Sequence, residues 1–274
     1  MKYGIAIRNM GPQSTRATMR ACALAAERLG FDSIVVSDHL CIPPDDVEGS
    51  GGRYLDVLTT LAWLAGVTER IRLGVSVLVL PYRPAVLTAK QVATIQELSG
   101  ERMILGVGVG WMKPEFAALG ADHALRGRMS TETLRVLHHL FAHDAAGYDG
   151  ELVKFPAFVF APRPKRPPIW IGGNGEAALR RVVEFGDGWH PMLPAEKLKP
   201  AVAELKRWLA AKNRGEAEIV VRRGMKLDDL DKARARLEAE REAGANYFIL
   251  DLGRYPSETD FERQAEIFLT KVAR

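Results

Sequence analysis

The sequence predicts an α/β fold, a (β/α)8 TIM barrel, and three observations carry that prediction. Apolar, β-prone runs alternate strictly with helical patterns, which predicts a parallel sheet with helices between its strands. Eight such units fit into 274 residues, close to the length of one barrel of this kind. The second run, SIVVS at 33–37, is apolar between its serines, as in a strand buried on both faces. A doubly wound open sheet is the main alternative.

The first half of the chain supplies four strands and four helices. Gly30 and Gly100 are placed to end helices, Asp56 to cap one, and Pro84 to occupy a first turn. The predicted strands are 3–7, 33–37, 71–79 and 103–107, and the predicted helices are 15–29, 56–67, 84–98 and 129–141.

The second half repeats the pattern after an irregular stretch at 143–168. That stretch holds the hairpin-like GYDGELVKF and the proline-rich APRPKRPP, and we interpret it as an insertion on a single domain that spans 1–274. The predicted strands are 169–171, a very short one within GDGWHP, 218–222 and 246–252, and the predicted helices are 176–185, 196–213, 228–243 and 257–272.

Composition limits the classes of function. The net charge is +4, but basic residues are interspersed with acidic ones, which favours a solvated surface over a nucleic-acid groove and still suits an anionic cofactor. No window holds the ~18 uncharged apolar residues of a membrane span, and the N-terminus enters a strand without a signal peptide pattern. The two cysteines make no disulfide framework, so we expect a cytoplasmic protein.

The stretch MILGVGVGWMKPEF, residues 103–116, predicts a binding site. A buried strand ends in alternating glycines, which let the backbone approach a ligand closely, and Trp111 and Glu115 follow at once. The Rossmann fingerprint requires a third glycine where Trp111 stands, so this is not a strong nucleotide motif. Glu115 is either catalytic or the cap of a short helix after Pro114.

Other strand ends carry polar, aromatic or glycine residues that meet at the same rim of a barrel, where barrel enzymes place their chemistry. They are Asp38–His39, Ser76–Val77, Gly172–Gly173–Asn174–Gly175 and Trp189–His190. This convergence favours a flat aromatic ligand with a phosphate. The GGNG turn that opens a helix is the best phosphate site, the alternative being a tight turn without a ligand.

The histidines at the rim are candidates for proton transfer, because imidazole titrates near neutral pH. His39 and His190 could each transfer a proton, or could each be a structural histidine bonded to loop backbone. No His, Cys, Asp or Glu grouping has metal-ligand spacing, and no serine lies in a G-x-S-x-G elbow. Cys41 lies near the rim without a clear base partner.

Four motifs together resemble a known family. They are AERLGFDSIVVSDHL, TERIRLGVSVLVLPYRPAVLTAKQVATIQELSGERMILGVGVGW, PPIWIGGN and GDGWHP. The chain resembles the bacterial luciferase-like monooxygenase superfamily of flavin and deazaflavin barrels, and is most similar to its short coenzyme F-420-dependent oxidoreductases. The resemblance covers about residues 1–192, and beyond 194 only the barrel rhythm supports it.

The resemblance implies a deazaflavin cofactor, with FMN as the alternative. It implies that His39 transfers a proton beside the cofactor, with Asp38 helping to orient it, and that the Ser76–Val77 peptide bond is cis behind the central ring. The other cofactor-binding positions that it implies are Gly108 and Gly110 along the ring, and Gly172, Gly173, Asn174 and Gly175 at the phosphate.

One residue departs from the family pattern. Members that oxidise sugar phosphates carry a catalytic glutamate where this chain has Trp111, so a reaction of the glucose-6-phosphate type is not expected. A tryptophan at that position implies a more apolar substrate pocket, or an indole that closes over the cofactor ring.

These inferences lead to one main hypothesis and two alternatives. The main hypothesis is hydride transfer between coenzyme F-420 and a small organic substrate by a homodimer that binds neither nucleic acid nor membrane. The first alternative is an FMN-dependent monooxygenase that uses reduced flavin and O2. The second is a barrel that binds flavin without catalysis.

Overall fold

The computed structural model describes residues 1–274 and contains a closed barrel of eight parallel strands. The strands are β1 Lys2–Ala6, β2 Ser33–Val36, β3 Arg72–Val79, β4 Met103–Gly108, β5 Ala145–Asp149, β6 Lys154–Val159, β7 Ile169–Gly172, β8 Gly188–His190, β9 Glu218–Gly224 and β10 Tyr247–Asp251. Around the barrel the order is β1-β10-β9-β8-β7-β4-β3-β2, and β1 pairs with both β10 and β2. The (β/α)8 barrel is therefore confirmed, and the open sheet is excluded because no strand edge is left free.

Nine helices accompany the strands, one more than the sequence pattern counts, because a short α4 follows β4. None of them has the length and hydropathy that a membrane span requires. They are α1 Arg16–Leu29, α2 Val57–Ala65, α3 Ala85–Leu98, α4 Lys113–Ala118, α5 Arg126–Ala142, α6 Glu176–Phe185, α7 Ala195–Ala211, α8 Leu230–Glu242 and α9 Glu258–Ile267, which continues as a π-helical turn over Phe268–Val272.

Local sequence chemistry sets several helix ends. The side chains of Thr15 and Asp56 accept hydrogen bonds from the N–H groups of Thr18 and Thr59, which caps α1 and α2. Gly30 ends α1 with φ +87°, a conformation that favours glycine.

The segment 143–168 contains an antiparallel hairpin formed by β5 and β6. It is held to α5 by the buried carboxylate of Glu132, which accepts hydrogen bonds from the N–H groups of Leu152 and Val153 at 2.9–3.0 Å. The hairpin therefore lies on the outside of the barrel.

Aromatic side chains fill the barrel near the N-terminal ends of its strands. The rings of Trp170 and Tyr247 are fully buried with centroids 4.8 Å apart. Trp170 Nε1–H donates to Glu218 at 2.8 Å, and the Tyr247 hydroxyl donates to Ser33 at 2.8 Å. Because this end is filled and its polar atoms are bonded, the interior of the barrel has room for a ligand only toward the C-terminal ends of the strands.

Candidate active site

A cavity of about 550 Å³ opens at the C-terminal ends of the barrel strands. Of the eleven residues predicted for the site, ten line it and only Gly175 does not. A larger trench of about 1180 Å³ lies beside it between α8 and α9, but none of the predicted residues lies there. The two cavities share Gly224 and Asp251 as a common wall.

Val77 forms part of the cavity wall, and its side chain packs against glycines of two neighbouring strands. The Ser76–Val77 peptide bond is cis, as the resemblance implies, and the pairing of β3 with β4 is shifted between Val75 and Leu78. A Cβ atom on Gly108 would lie 2.7 Å from Val77 Cγ2, and one on Gly172 would lie 3.3 Å from Val77 Cγ1. These glycines therefore make room for the Val77 side chain, which in turn faces the cavity.

His39 is held by Glu115 and not by its neighbour Asp38. Glu115 lies at the start of α4, is fully buried, and places Oε2 2.9 Å from His39 Nδ1. The Tyr82 hydroxyl donates to the same oxygen at 2.7 Å. The N–H groups of Leu40 and Cys41 donate to Oε1. Both oxygens of the Glu115 carboxylate therefore bond to groups outside α4, which excludes the alternative that Glu115 caps this helix.

The charge state of Glu115 fixes the tautomer of His39. Burial alone would raise the pKa of the Glu115 carboxyl, but hydrogen bonds from His39, the Leu40 N–H and Tyr82 outweigh it and lower this pKa to about 2. Glu115 is therefore ionised at neutral pH and can only accept hydrogen bonds. It follows that His39 Nδ1 carries a proton and donates it to Glu115, which leaves Nε2 as the free nitrogen.

Asp38 has a different role from the one the sequence suggested. Arg83 donates to both of its carboxylate oxygens at 2.8 Å, and the Val79 N–H donates to Oδ2 at 2.9 Å. The prediction that Asp38 orients His39 is wrong, because His39 Nδ1 is bonded to Glu115 and no hydrogen bond joins His39 to Asp38. Asp38 instead fastens the end of β2 to the turn after β3.

His190 is buried beneath the cavity with both ring nitrogens bonded. Its Nε2 lies 2.8 Å from Ser76 Oγ, and its Nδ1 lies 3.0 Å from the Val220 carbonyl oxygen. Burial lowers the pKa of His190 to about 4, and the positive charge of Arg222 acts in the same direction. His190 is therefore neutral at physiological pH, and this geometry favours its structural interpretation.

Arg222 is a cavity residue that sequence reasoning missed. From the end of β9 its Nη1 donates to the Ser76 carbonyl oxygen at 3.1 Å and to Ser37 Oγ at 3.0 Å. Its Nη2 pairs with Asp251 at 2.8 Å. The sequence feature that could have identified Arg222 is its position as a charged residue at the end of a buried strand. The sequence VVRRG contains two adjacent arginines, and the pattern alone did not show which of them points into the barrel. Arg222 does, whereas Arg223 points outward and pairs with Glu240 of α8.

The predicted phosphate turn lies between the cavity and the N-terminus of α6. Gly173 adopts φ +122°, and a Cβ there would lie 3.1 Å from Ala178, so glycine is needed. Asn174 Oδ1 accepts a hydrogen bond from the Met192 N–H at 2.7 Å and ties the turn to the loop after β8. No side chain caps α6, and the N–H groups of Glu176 and Ala177 at its start have no partner in the protein, so these two remain available to an anion.

Aromatic rings surround His39 at the cavity mouth. The ring of Tyr54 lies 5.1 Å from the imidazole between centroids, and that of Trp111 lies 6.4 Å away, both close to edge-to-face. Trp111 is 67% exposed and does not close over the cavity in this structure. The imidazole of His39 therefore has two aromatic neighbours at the cavity mouth.

Comparison with known proteins agrees with this architecture. The chain is 31% identical over 245 residues to a 5,10-methylenetetrahydromethanopterin reductase of Archaeoglobus fulgidus, an alignment that covers 85% of this chain and 67% of the relative.

Two solved structures share the fold. One is an F-420-dependent secondary alcohol dehydrogenase in complex with an F-420–acetone adduct, with a TM-score of 0.84, 15% identity and 97% of each chain covered. The other is the FMN complex of the oxygenating constituent of 3,6-diketocamphane monooxygenase from Pseudomonas putida, with a TM-score of 0.79, 14% identity and 100% and 98% of the two chains covered. At these identities the likeness shows the fold alone.

The family comparison covers almost the whole chain. The luciferase-like monooxygenase family matches residues 1–268. The match therefore includes the C-terminal part of the chain, which contains none of the four sequence motifs. This chain belongs to the luciferase-like monooxygenase family of oxidoreductases.

Proposed function

We propose that this protein transfers a hydride between coenzyme F-420 and a small organic substrate. The observation that carries the proposal is the arrangement of His39 in the cavity. Its Nδ1 is held by the buried Glu115 carboxylate, and its Nε2 has no partner within the protein. The F-420-dependent secondary alcohol dehydrogenase that shares the fold supports the choice of cofactor.

The residues of the cavity fit a flat cofactor that carries a phosphate. Val77 offers an apolar surface for the ring and is braced from behind by Gly108 and Gly172. Gly173 and Asn174, with the uncapped first turn of α6, would hold the phosphate. When bound in its reduced form, F-420 supplies a hydride. Gly110 and Ser76 complete the wall around the ring.

His39 would move the proton that accompanies the hydride. When a carbonyl is reduced, the electron pair of its C=O bond moves to oxygen, and the imidazolium form of His39, which is protonated at both nitrogens, supplies the Nε2 proton to that oxygen and becomes the neutral imidazole. In the reverse direction Nε2 removes the proton of an alcohol. The Glu115 carboxylate stabilises the positive charge that the imidazole carries when both nitrogens are protonated.

Equilibrium titration tests the cofactor assignment. Oxidised F-420 and FMN are each titrated into the protein and followed by changes in their fluorescence. We expect 1:1 binding of F-420 that persists in His39→Ala, because His39 is not needed to hold the ring. Tight binding of FMN with no binding of F-420 would refute the assignment.

The second candidate function is an FMN-dependent monooxygenase. It is supported by the family, which is named for monooxygenases, and by the FMN complex that shares the fold. Oxygen uptake with reduced FMN, above the uncatalysed rate, would favour it. Tight F-420 binding without turnover over a broad substrate panel would instead favour a barrel that binds flavin without catalysis.

Two expectations stay predictions, a cytoplasmic location from the cysteine content and a homodimer from the resemblance. The exposed Leu87 and Leu98 of α3 are candidate contacts between subunits. Sedimentation velocity at micromolar concentration tests the dimer, and a monomer at that concentration would contradict it.

A further inference from the structure

Every charged side chain on the wall of the 550 Å³ cavity is already paired within the protein. Asp38 is held by Arg83 through two hydrogen bonds at 2.8 Å. Arg222 Nε and Nη2 contact Asp251, and Nη1 is used by Ser37 and the Ser76 carbonyl. Hydrogen bonds and the charge of Arg222 lower the pKa of Asp251 despite its burial, so this pair is fully charged at neutral pH.

The two histidines add no free charge to the cavity. His39 is paired with the Glu115 carboxylate behind it, and buried His190 is neutral. A carboxylate or phosphate on the substrate would therefore lose its hydration without gaining a cationic partner, which is strongly unfavourable. Outside the turn assigned to the cofactor, the wall discriminates against anions.

The mouth of the same cavity carries two large apolar side chains that are open to solvent. Trp111 follows β4 and is 67% exposed, and Met192 follows β8 and is 84% exposed. They stand on either side of β7, the strand that lies between β4 and β8 in the barrel. Few large apolar side chains are so exposed elsewhere in the chain. Exposed apolar groups at a cavity mouth mark a ligand contact.

We propose that the substrate is an uncharged, largely apolar carbonyl compound or alcohol, held between Trp111 and Met192 with its oxygen toward His39. This inference rests on the proposed function, which supplies the cofactor and the role of His39. Aromatic and thioether side chains contact flat apolar groups favourably. The paired charges of the wall give selectivity, and the two exposed side chains give affinity.

A matched pair of ligands tests the substrate class. 4-Ethylbenzaldehyde and 4-carboxybenzaldehyde have nearly the same shape and differ in charge. Each is titrated calorimetrically into the protein, alone and saturated with oxidised F-420, so that no turnover occurs. We expect the uncharged aldehyde to bind at least ~10-fold more tightly, a difference of about 1.4 kcal/mol.

Variants separate the two parts of the argument. Trp111→Ser and Met192→Ser should each weaken binding of the ethyl compound at least ~3-fold, and Trp111→Phe should restore most of it, since an aromatic face remains. Val159→Ser is the control, because Val159 is 74% exposed on the outer hairpin, away from the cavity. Asp251→Asn leaves Arg222 unpaired and should tighten binding of the carboxylate.

The outcomes distinguish the two proposals. If F-420 fails to bind, the proposed function is wrong, whatever the aldehydes do. If F-420 binds but the carboxylate binds as tightly as the ethyl compound, or neither aldehyde binds up to millimolar concentration, only the substrate class is overturned. An effect of Val159→Ser equal to that of Trp111→Ser would also overturn it.

Discussion

The two nitrogens of His39 have different surroundings. Nδ1 contacts a carboxylate that has no access to solvent, whereas Nε2 has no partner in the protein and belongs to the cavity wall. A buried carboxylate with four hydrogen-bond donors is rigid, because moving it would break several bonds at once. Glu115 is therefore a positioning residue, which fixes the ring plane and the tautomer of His39.

Replacing Glu115 with Gln should misorient the imidazole without loss of the cofactor. The amide can either accept from or donate to Nδ1, so both neutral tautomers become populated. We expect turnover to fall about 10- to 100-fold, while the dissociation constant for F-420 changes less than about twofold. Nitrogen-15 NMR of the His39 side chain should show one tautomer in the wild type and a mixture in the variant.

Glu132→Gln is the matched control for that experiment. Glu132 is also a buried carboxylate that accepts backbone hydrogen bonds, but it serves the outer hairpin. It should leave turnover and the His39 tautomer unchanged, whatever it does to stability. If Glu115→Gln behaved like Glu132→Gln, the positioning role would be refuted.

His190 should make the folded state sensitive to mild acid. Its pKa is about 4 in the folded protein against 6.5 when unperturbed, so the unfolded state binds the proton more readily. Neutral His190 therefore contributes to the free energy of unfolding in full above pH 6.5, and this contribution is lost as the pH falls toward 4. Between pH 7 and 5 it amounts to about 2 kcal/mol. The corresponding loss from Glu115 begins only below its unperturbed pKa of 4.5.

Urea unfolding of the wild type and of His190→Gln at pH 7 and pH 5 measures this effect. Gln does not titrate, so the variant should lose about 2 kcal/mol less than the wild type over that interval. Equal losses in the two proteins would show that His190 is not the titrating group.

Sequence reasoning located the residues at the rim but not their partners. Asp38 and His39 are adjacent in the chain, which suggested a contact, yet successive residues leave a strand in opposite directions. The true partner of His39 lies 76 residues away on α4. Such pairings depend on barrel closure and on the turn after β4, and neither is visible in a local pattern.

At the scale of elements, the glycines of β4 are explained by a neighbouring strand. A Cβ on Gly106 would lie 2.1 Å from the Val75 carbonyl oxygen, and one on Gly108 would meet Val77. The glycines of GVGVG are thus required where the irregular part of β3 lies too close to β4 for a side chain. The glycine pattern correctly predicted that another group approaches the backbone of β4 closely. That group is a neighbouring strand of the protein and not a ligand.

Gly106→Ala should therefore destabilise the fold. The added methyl collides with backbone, and such overpacking costs ~1–3 kcal/mol or more. Gly215→Ala is the control, because Gly215 has a negative φ and open space around its Cβ position. Urea unfolding should show a loss of at least about 2 kcal/mol for Gly106→Ala and a change below about 1 kcal/mol for Gly215→Ala. Similar values would contradict the account of β4.

Helices and strands were predictable because their causes are local. Thr15, Asp56 and Gly30 set helix ends through their own side chains or φ angles. The bounds of α5 were less accurate, since the helix begins at Arg126 without a side-chain cap and the pattern suggested 129. Where no local group fixes an end, tertiary packing does.

At the scale of the molecule, closure of the barrel creates the site. Strands that are distant in sequence bring His39, Val77, Trp111 and Arg222 to one rim, while Trp170 fills the opposite end. The rhythm of strands and helices was sufficient to predict this architecture. It could not predict Arg222 or Asp251, because their ion pair forms only after β9 and β10 meet.

Anaerobic turnover tests the central claim most directly. Enzyme loaded with reduced F-420 is mixed with a panel of uncharged aldehydes and ketones that includes 4-ethylbenzaldehyde, and the return of the absorbance of oxidised F-420 is followed. In parallel, oxygen uptake is measured with reduced FMN. We predict substrate-dependent oxidation of F-420 without oxygen, reduced at least ~100-fold in His39→Ala. Enzyme-dependent oxygen uptake with FMN, and no oxidation of F-420, would contradict the account.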